Sequence, residues 1–412
     1  MTNFAALSKS FAATPEKSFS DDDFVNTSSS AASAYYYSTD AAHEVEINRG
    51  LPELNTDDGR SVSPFEFWPA WVFYTPVIVQ CLWLGLRYRN LSLPLIANPS
   101  IALSGLVGES KHAVLNLAGD KARQWIAPYI VVQQQHAQQQ IIDQQLQTIY
   151  THLETAGLHF PLVAKPDIGC RGAGVRLLET DDHLRDYLHA FPTGHRFLLQ
   201  KKAPYSAEAG VFYMRHPGAE RGQIFSIALK YTPFVVGDGV STLGELIEQD
   251  KRAGLVQHLY LPRHQHRLDK VIPAGKKFPL AFSGSHCRGS IFRNGNHLIT
   301  DALTQQLDEI TRDIPGFYYG RLDIKFKDVE SLMAGEHLCI VEINGASSEA
   351  AHIWDRSTPL KDIFVTLLQQ YRTLYAYGDY HRQQGHKTPS VRQLLRAWRK
   401  EKSLVVSYPT TD

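Results

Sequence analysis

The strand-like segment HFPLVAKP (159–166) carries Lys165 at its end and runs into the loop PDIGCRGAGV. Gly169, Gly172 and Gly174 let the backbone take positive φ and turn successive N–H groups to one side, a geometry suited to phosphate oxygens. Arg171 adds a planar cation to that loop. The pattern is neither GxxxxGK[ST], because the lysine precedes the glycines, nor GxGxxG. An ordinary strand-to-loop connection shares it, and the adjoining lysine favours phosphate. A second group lies in GRLDIKF (320–326) and HLCIVEIN (337–344), two segments that read as paired strands. Alternate side chains share a strand face, so Arg321 goes with Asp323 and Glu342 with Asn344. If the strands are neighbours, two carboxylates, an amide oxygen and a guanidinium converge. Hard oxygen ligands in an open cluster suit Mg²⁺, and Arg321 beside them suits developing negative charge. A surface ion-pair cluster is the other reading of the same residues.

Positioning these residues takes alternating strands and helices, and the chain supplies them beyond Gly157. HRFLLQKKAP (195–204) reads as a strand, GQIFSIALKYTPFVV (222–236) as a long strand or hairpin arm, and Thr242-x-x-Glu245 as a capping box opening a helix. Upstream, WLGLRYRNLSLPLIANPSIALSGLVGESK reads as helix, turn, short strand and loop. A Gln-rich helix follows, with Ile141, Ile142, Leu146, Ile149 and Tyr150 as its apolar stripe. The last helix sets Leu394, Leu395 and Trp398 among Arg392, Arg396, Arg399, Lys400 and Lys402, and packing on its own domain is the expectation.

Taken in order, Lys165, GCRGAG, Arg321/Asp323 and Glu342/Asn344 resemble the ATP-grasp superfamily, in particular its D-alanine–D-alanine ligase and carboxylate–amine ligase branch. PFVVGDGVSTLGELI (233–247) is similar to a stretch of cyanophycin synthetase, another member. NGASSEAAHIWD (344–355) and ANPSIALSGLVGESK (97–111) resemble ligase-like members of the same superfamily. The likeness spans residues 159–356 and is fainter over 64–120. It implies an α+β, ATP-grasp fold in which two subdomains clasp ATP, preceded by a small α/β N-terminal domain. The expected divisions are a disordered tail (1–62), the N-terminal domain (63–150), subdomain A (151–235), subdomain B (236–375), and a basic C-terminal helix and tail (376–412).

The resemblance also implies roles. Lys165 falls on the α/β-phosphates, with the loop of Gly169, Arg171, Gly172 and Gly174 closing over the nucleotide. Gln200, Lys201 and Lys202 form the hinge at the adenine, Glu208 meets the ribose, and Lys230 reaches the γ-phosphate. Asp323, Glu342 and Asn344 match ligands of Mg²⁺, expected as two ions, and Arg321 the arginine steadying a tetrahedral intermediate. The segment after Asn344 is GASS where the ligases usually have Ser-Pro-Gly, which bears on the acceptor. The implied activity is ADP-forming ligation of a small-molecule carboxylate to an amine through an acyl phosphate. A kinase acting on a hydroxyl, or a non-catalytic ATP-binding scaffold, would use the same pocket.

Composition narrows the classes further. The 412 residues carry 42 basic and 42 acidic side chains, so a nucleic-acid partner is not expected. Residues 1–62 hold ten acidic and four basic side chains (net −6), which leaves the remainder at +6 and suited to anionic ligands. That tail is rich in Ser, Ala, Asp and Thr without an apolar period, hence the expectation of disorder. Four scattered cysteines and no basic start followed by an apolar run point to the cytoplasm. Trp68 to Leu86 is the one near-membrane stretch. Pro69, Thr75, Pro76 and Gln80 interrupt it, so no integral span is expected. A homo-oligomer is compatible with this reading. Further candidates are His286 and Arg288 in SGSHCRGSIF, contacting acceptor or acyl phosphate, and Cys170, whose thiolate the loop dipoles and Arg171 would favour. His258, His264 and His266 read as a solvated basic loop rather than a metal site.

Overall fold

The computed structural model describes residues 47–54, 63, 68–135, 139–282, 284–285 and 288–411. The tail expected to be disordered lies largely outside these residues, as does His286. The fold is α+β and is built on two antiparallel sheets. Strands β1 (Tyr129–Gln133), β2 (Leu162–Pro166), β3 (Arg176–Leu178) and β4 (Arg196–Lys201) form the first, in the order β1-β4-β2-β3. Strands β5 (Ala207–Met214) and β6 (Gln223–Tyr231) begin the second. A two-stranded ribbon, β7 (Phe234–Val236) with β8 (Lys277–Pro279), interrupts it. Strands β9 (Ile291–Asn294), β10 (Tyr319–Phe326) and β11 (Leu338–Asn344) complete the order β11-β10-β5-β6-β9.

Strands β5 and β6 pair with β10 and β9, so the change of sheet falls between Lys201 and Ala207. The strand within 63–150, β1, is an edge of the first sheet because it pairs with β4 along its whole length. Before it, the regular elements among the described residues are helices. The short strand expected in LPLIANPS is a 3-10 turn, Leu93–Ile96, opened by Pro94, whose missing N–H suits a helix start. The helix Leu360–Gln383 runs unbroken through residue 375.

Local chemistry accounts for the helices. Thr242 and Glu245 close a reciprocal capping box over Leu243–Gln249, as the spacing predicts. The helix Gln139–Thr155 buries Ile142, Leu146, Ile149 and Leu153 against the first sheet. The helix Asp301–Arg312, capped by the Thr300 hydroxyl, buries Leu303, Leu307 and Ile310 on the apolar face of the second. Trp68 to Leu86 becomes the helix Ala70–Arg87. It buries Phe73, Tyr74, Val77, Cys81 and Leu84 and exposes Trp71, Val79, Trp83 and Leu86. Among the described residues no helix is long and apolar enough to cross a membrane.

His264 departs from the solvated loop expected of it. Its ring is buried, edge-on to Phe278, with Nε2 3.2 Å from the Leu280 carbonyl. A carbonyl only accepts, so Nε2 carries the proton. Burial pushes this imidazole down to about 4. The unfolded chain therefore takes up a proton below its ordinary value of ~6.5 while the folded protein does not, and stability falls as pH drops from there toward 4. Relative to His264→Gln, the parent protein is expected to lose about 2 kcal/mol by pH 5. Urea unfolding of both proteins at pH 7.5 and pH 5 checks this, and parallel profiles would refute it.

Candidate functional site

The two faces of β10 separate its chemistry. Leu322, Ile324 and Phe326 point into the apolar core, while Arg321, Asp323 and Lys325 line the other face. Register then sets their neighbours. Arg321 lies opposite Asn344 and Asp323 opposite Glu342 on β11. On the other side, Asp323 lies opposite Gly210 and Lys325 opposite Glu208, which is itself opposite Lys230 on β6. Gly210 is the gap in this polar face: a Cβ there would sit 2.9 Å from Arg321 Cδ and 3.3 Å from Lys230 Cε. Its lack of a side chain lets the two cations reach across.

The ion pairs follow that register. Arg321 Nε donates to Asp323 Oδ1 at 2.8 Å and Nη2 donates to Oδ2 at 3.2 Å. Lys230 Nζ lies 2.9 Å from both Asp323 Oδ1 and Glu208 Oε1, and Lys325 Nζ lies 2.8 Å from Glu208 Oε2. Burial works against the Asp323 charge, but Arg321 and then Lys230 outweigh it and hold the carboxyl below the usual range. Glu208 is depressed likewise: Lys230 and Lys325 outweigh its burial. Lys230 is held above its ordinary value because the Asp323 and Glu208 carboxylates overcome burial.

Lys165 joins the two sheets. From β2 its Nζ donates to Gln200 Oε1 at 2.7 Å and to the Val341 carbonyl of β11 at 3.2 Å. Burial lowers its pKa, with Glu342, Glu208 and Asp323 acting in the opposite sense. The lysine preceding the glycine loop and the acid-bearing strands thus meet in space. They line one cavity of about 2150 Å³ together with Gly169, Arg171, Gly172, Lys201 and Lys202. The carboxylates and the Asn344 amide are hard donors on adjacent strands, which fits Mg²⁺. Among the described residues no cluster of three or more His, Cys, Asp or Glu is arranged to hold a metal.

The loop is held from behind by the C-terminus. Gly172 and Gly174 take φ of 71° and 69°, and Arg171 takes 56°. A Cβ on Gly174 would meet Pro166 at 2.8 Å and Tyr408 at 3.0 Å. The Gly174 N–H donates to Thr411 Oγ1 at 3.0 Å, and that hydroxyl donates to the Gly172 carbonyl at 2.9 Å. The Tyr408 ring stacks on Phe191 at 5.4 Å.

One expectation changes here. Cys170 has no activated thiol: surrounding protein, and then Glu401, push it up to about 11. Arg288 donates from Nε to the Arg171 carbonyl at 3.4 Å. Glu208, expected at the ribose, lines the cavity and is engaged by two lysines.

Residues that sequence reasoning missed complete the walls. Lys111 Nζ donates to the Gly169 carbonyl at 2.8 Å and lies 3.3 Å from Glu342. Burial pushes the neighbouring Glu109 up to about 8. Val163, Val175 and Leu177 of the first sheet pack with Phe282 as a small apolar slot. Lys111 and Glu109 close the stretch ANPSIALSGLVGESK, where the resemblance was the available signal. The apolar slot has no pattern that separates it from ordinary core.

The structural likeness is to ATP-grasp ligases. D-Alanine–D-alanine ligase from Bacillus anthracis superposes with a TM-score of 0.38 and 12% identity over 67% of this chain and 69% of that one. The ATP-grasp ligase PsnB gives 0.33 and 14% over 63% and 60%. A bifunctional glutathione synthetase from Pasteurella multocida gives 0.30 and 13%, over 65% of this chain. The chain spans only 38% of that synthetase's length. Neither a protein-family model nor a curated protein sequence matches. These superpositions are partial, and the site is read from its own geometry.

Proposed function

We propose that this protein is an ATP-dependent, ADP-forming ligase that joins a carboxylate to an amine. One observation carries the reading: Lys165 of one sheet and the Lys230, Arg321, Asp323, Glu342 and Asn344 group of the other line a single cavity. The slot of Val163, Val175, Leu177 and Phe282 beside Lys201 and Lys202 suits a flat base. The glycine loop and Lys165 suit the phosphates that follow from it.

A carboxylate resists attack because its leaving group would be oxide. Its oxygen attacks the γ-phosphorus of ATP, the bond to the β,γ-bridging oxygen breaks, and ADP leaves. Lys165 and Lys230 hold the phosphate oxygens in line, so the reaction gains chiefly from positioning and charge neutralisation. Asp323, Glu342 and Asn344 would hold Mg²⁺, which when bound neutralises charge on the phosphate oxygens. The amine, as its neutral form, then attacks the acyl carbon through nitrogen; the carbon–oxygen bond to phosphate breaks, the nitrogen's proton passes to the leaving orthophosphate, and the Arg321 guanidinium faces the oxyanion that forms.

The test combines calorimetry of ATP with Mg²⁺ and a mass-spectrometric screen of carboxylate–amine pairs. Saturable nucleotide binding is expected, with ADP released only when both substrates are present and a product at their summed mass less water. Absence of nucleotide binding would overturn the reading. A stable phosphorylated product formed without an amine would replace the ligase by a kinase.

A further inference from the structure

The cavity is larger than a nucleotide and a small metabolite require. Pockets for drug-sized ligands span ~300–1,000 Å³, against about 2150 Å³ here. The surplus includes an apolar chamber walled by Tyr74, Val77 and Ile78 of the helix Ala70–Arg87, Trp354, and Tyr371 of the helix Leu360–Gln383. These walls are stiff. Trp354 stacks on Phe73 at 5.3 Å, and the chamber residues pack on one buried cluster with Leu84, Ile353 and Leu367.

A single carboxylate stands in that wall. Glu349 follows β11 by five residues, directly after the GASS segment that stands where the ligases usually have Ser-Pro-Gly. The Tyr74 hydroxyl donates to Glu349 Oε1, and Trp354 Nε1–H donates to Oε2 at 3.3 Å. Both donors are neutral, and among the described residues no cation lies within ion-pair distance of Glu349. Glu349 and Arg321 line the same cavity. A half-buried carboxylate oriented by two aromatic donors beside apolar walls is complementary to an ammonium carrying an apolar group.

We infer that the acceptor is an amine bearing an aromatic or bulky apolar group, with its ammonium received by Glu349 and that group seated against Tyr74, Val77, Trp354 and Tyr371. The inference rests on the ligase reading and adds the acceptor's chemical class. Glu349 would position the nitrogen between the chamber and Arg321. Burying a phenyl group contributes about 1.5–3 kcal/mol, which is about tenfold or more in affinity.

Calorimetry on the full chain loaded with ATP and Mg²⁺ tests this, with phenethylamine, ethylamine and 3-phenylpropionate as probes. Phenethylamine is expected to bind at least about tenfold more tightly than either of the others. Glu349→Gln keeps the shape and removes the charge. It is expected to weaken phenethylamine about tenfold and leave ATP affinity unchanged. Equal binding of the two amines, tighter binding of 3-phenylpropionate, or no binding of any probe to the ATP-loaded protein would overturn the inference alone. Failure of ATP itself to bind would overturn the ligase reading beneath it. The comparison among probes uses the unaltered protein, so it stands even if the variant does not fold.

Discussion

Asp323→Ala is expected to abolish ADP release and to lower the unfolding free energy by about 3–5 kcal/mol. The two losses have one cause. Asp323 is 4% exposed and takes bonds from Arg321 and Lys230 at 2.8 and 2.9 Å. Truncating it leaves two enclosed cations facing each other across Gly210, and it removes one of the oxygen donors proposed for Mg²⁺. Glu342→Ala separates the effects. Glu342 is 29% exposed and pairs with Lys111 at 3.3 Å, so its removal is expected to cost at most about 1 kcal/mol of stability. Turnover should vanish with it all the same. Urea unfolding and a coupled ADP assay on both variants check the pair. Full activity in both would detach these acids from the reaction.

Deleting residues 408–412 is expected to weaken ATP binding about tenfold or more while the protein stays folded. The Tyr408 hydroxyl donates to the Ile168 carbonyl, Thr411 bridges Gly172 and Gly174, and Arg176 donates to both Thr410 oxygens at 2.8 Å. At about 1 kcal/mol for each hydrogen bond, the loss exceeds the ~1.4 kcal/mol that a tenfold change requires. The strand ladders themselves do not use these bonds, although Arg176 lies on β3 and Tyr408 packs on the core of the first sheet. Tryptic cleavage after Arg171 should accelerate in the shortened protein, because the loop loses its outer wall. Limited proteolysis and ATP calorimetry provide the measurements. Unchanged affinity with unchanged cleavage would show that the strap is incidental to the loop.

Much of this site is readable in one dimension because it is built on strands. In GRLDIKF and VEIN, apolar and polar residues alternate, and a period of two assigns Arg321, Asp323, Glu342 and Asn344 to one face without coordinates. Lys165 and its glycines are legible for a related reason: positive φ and exposed N–H groups are local demands that glycine meets by itself. The helix Leu243–Gln249 is likewise local, as its cap closes over four residues.

Other features were set by contacts between distant segments, and no local pattern encodes those. Strands β5 and β6 follow the first sheet in the chain yet pair with β9 and β10, so the change of sheet is set by long-range pairing. His264 reads as a solvated loop residue until Phe278 and Leu280 cover it. Cys170 reads as a thiolate until desolvation by the surrounding protein, and then Glu401, raise its pKa. Glu349 and Tyr74, 275 positions apart, become hydrogen-bond partners only when the helix Ala70–Arg87 packs beside the loop after β11. The sequence by itself determined which side chains share a strand face and where the backbone must bend, because both are short-range. Which faces look at one another was decided by tertiary packing, since burial and ion pairing depend on what the rest of the chain brings alongside.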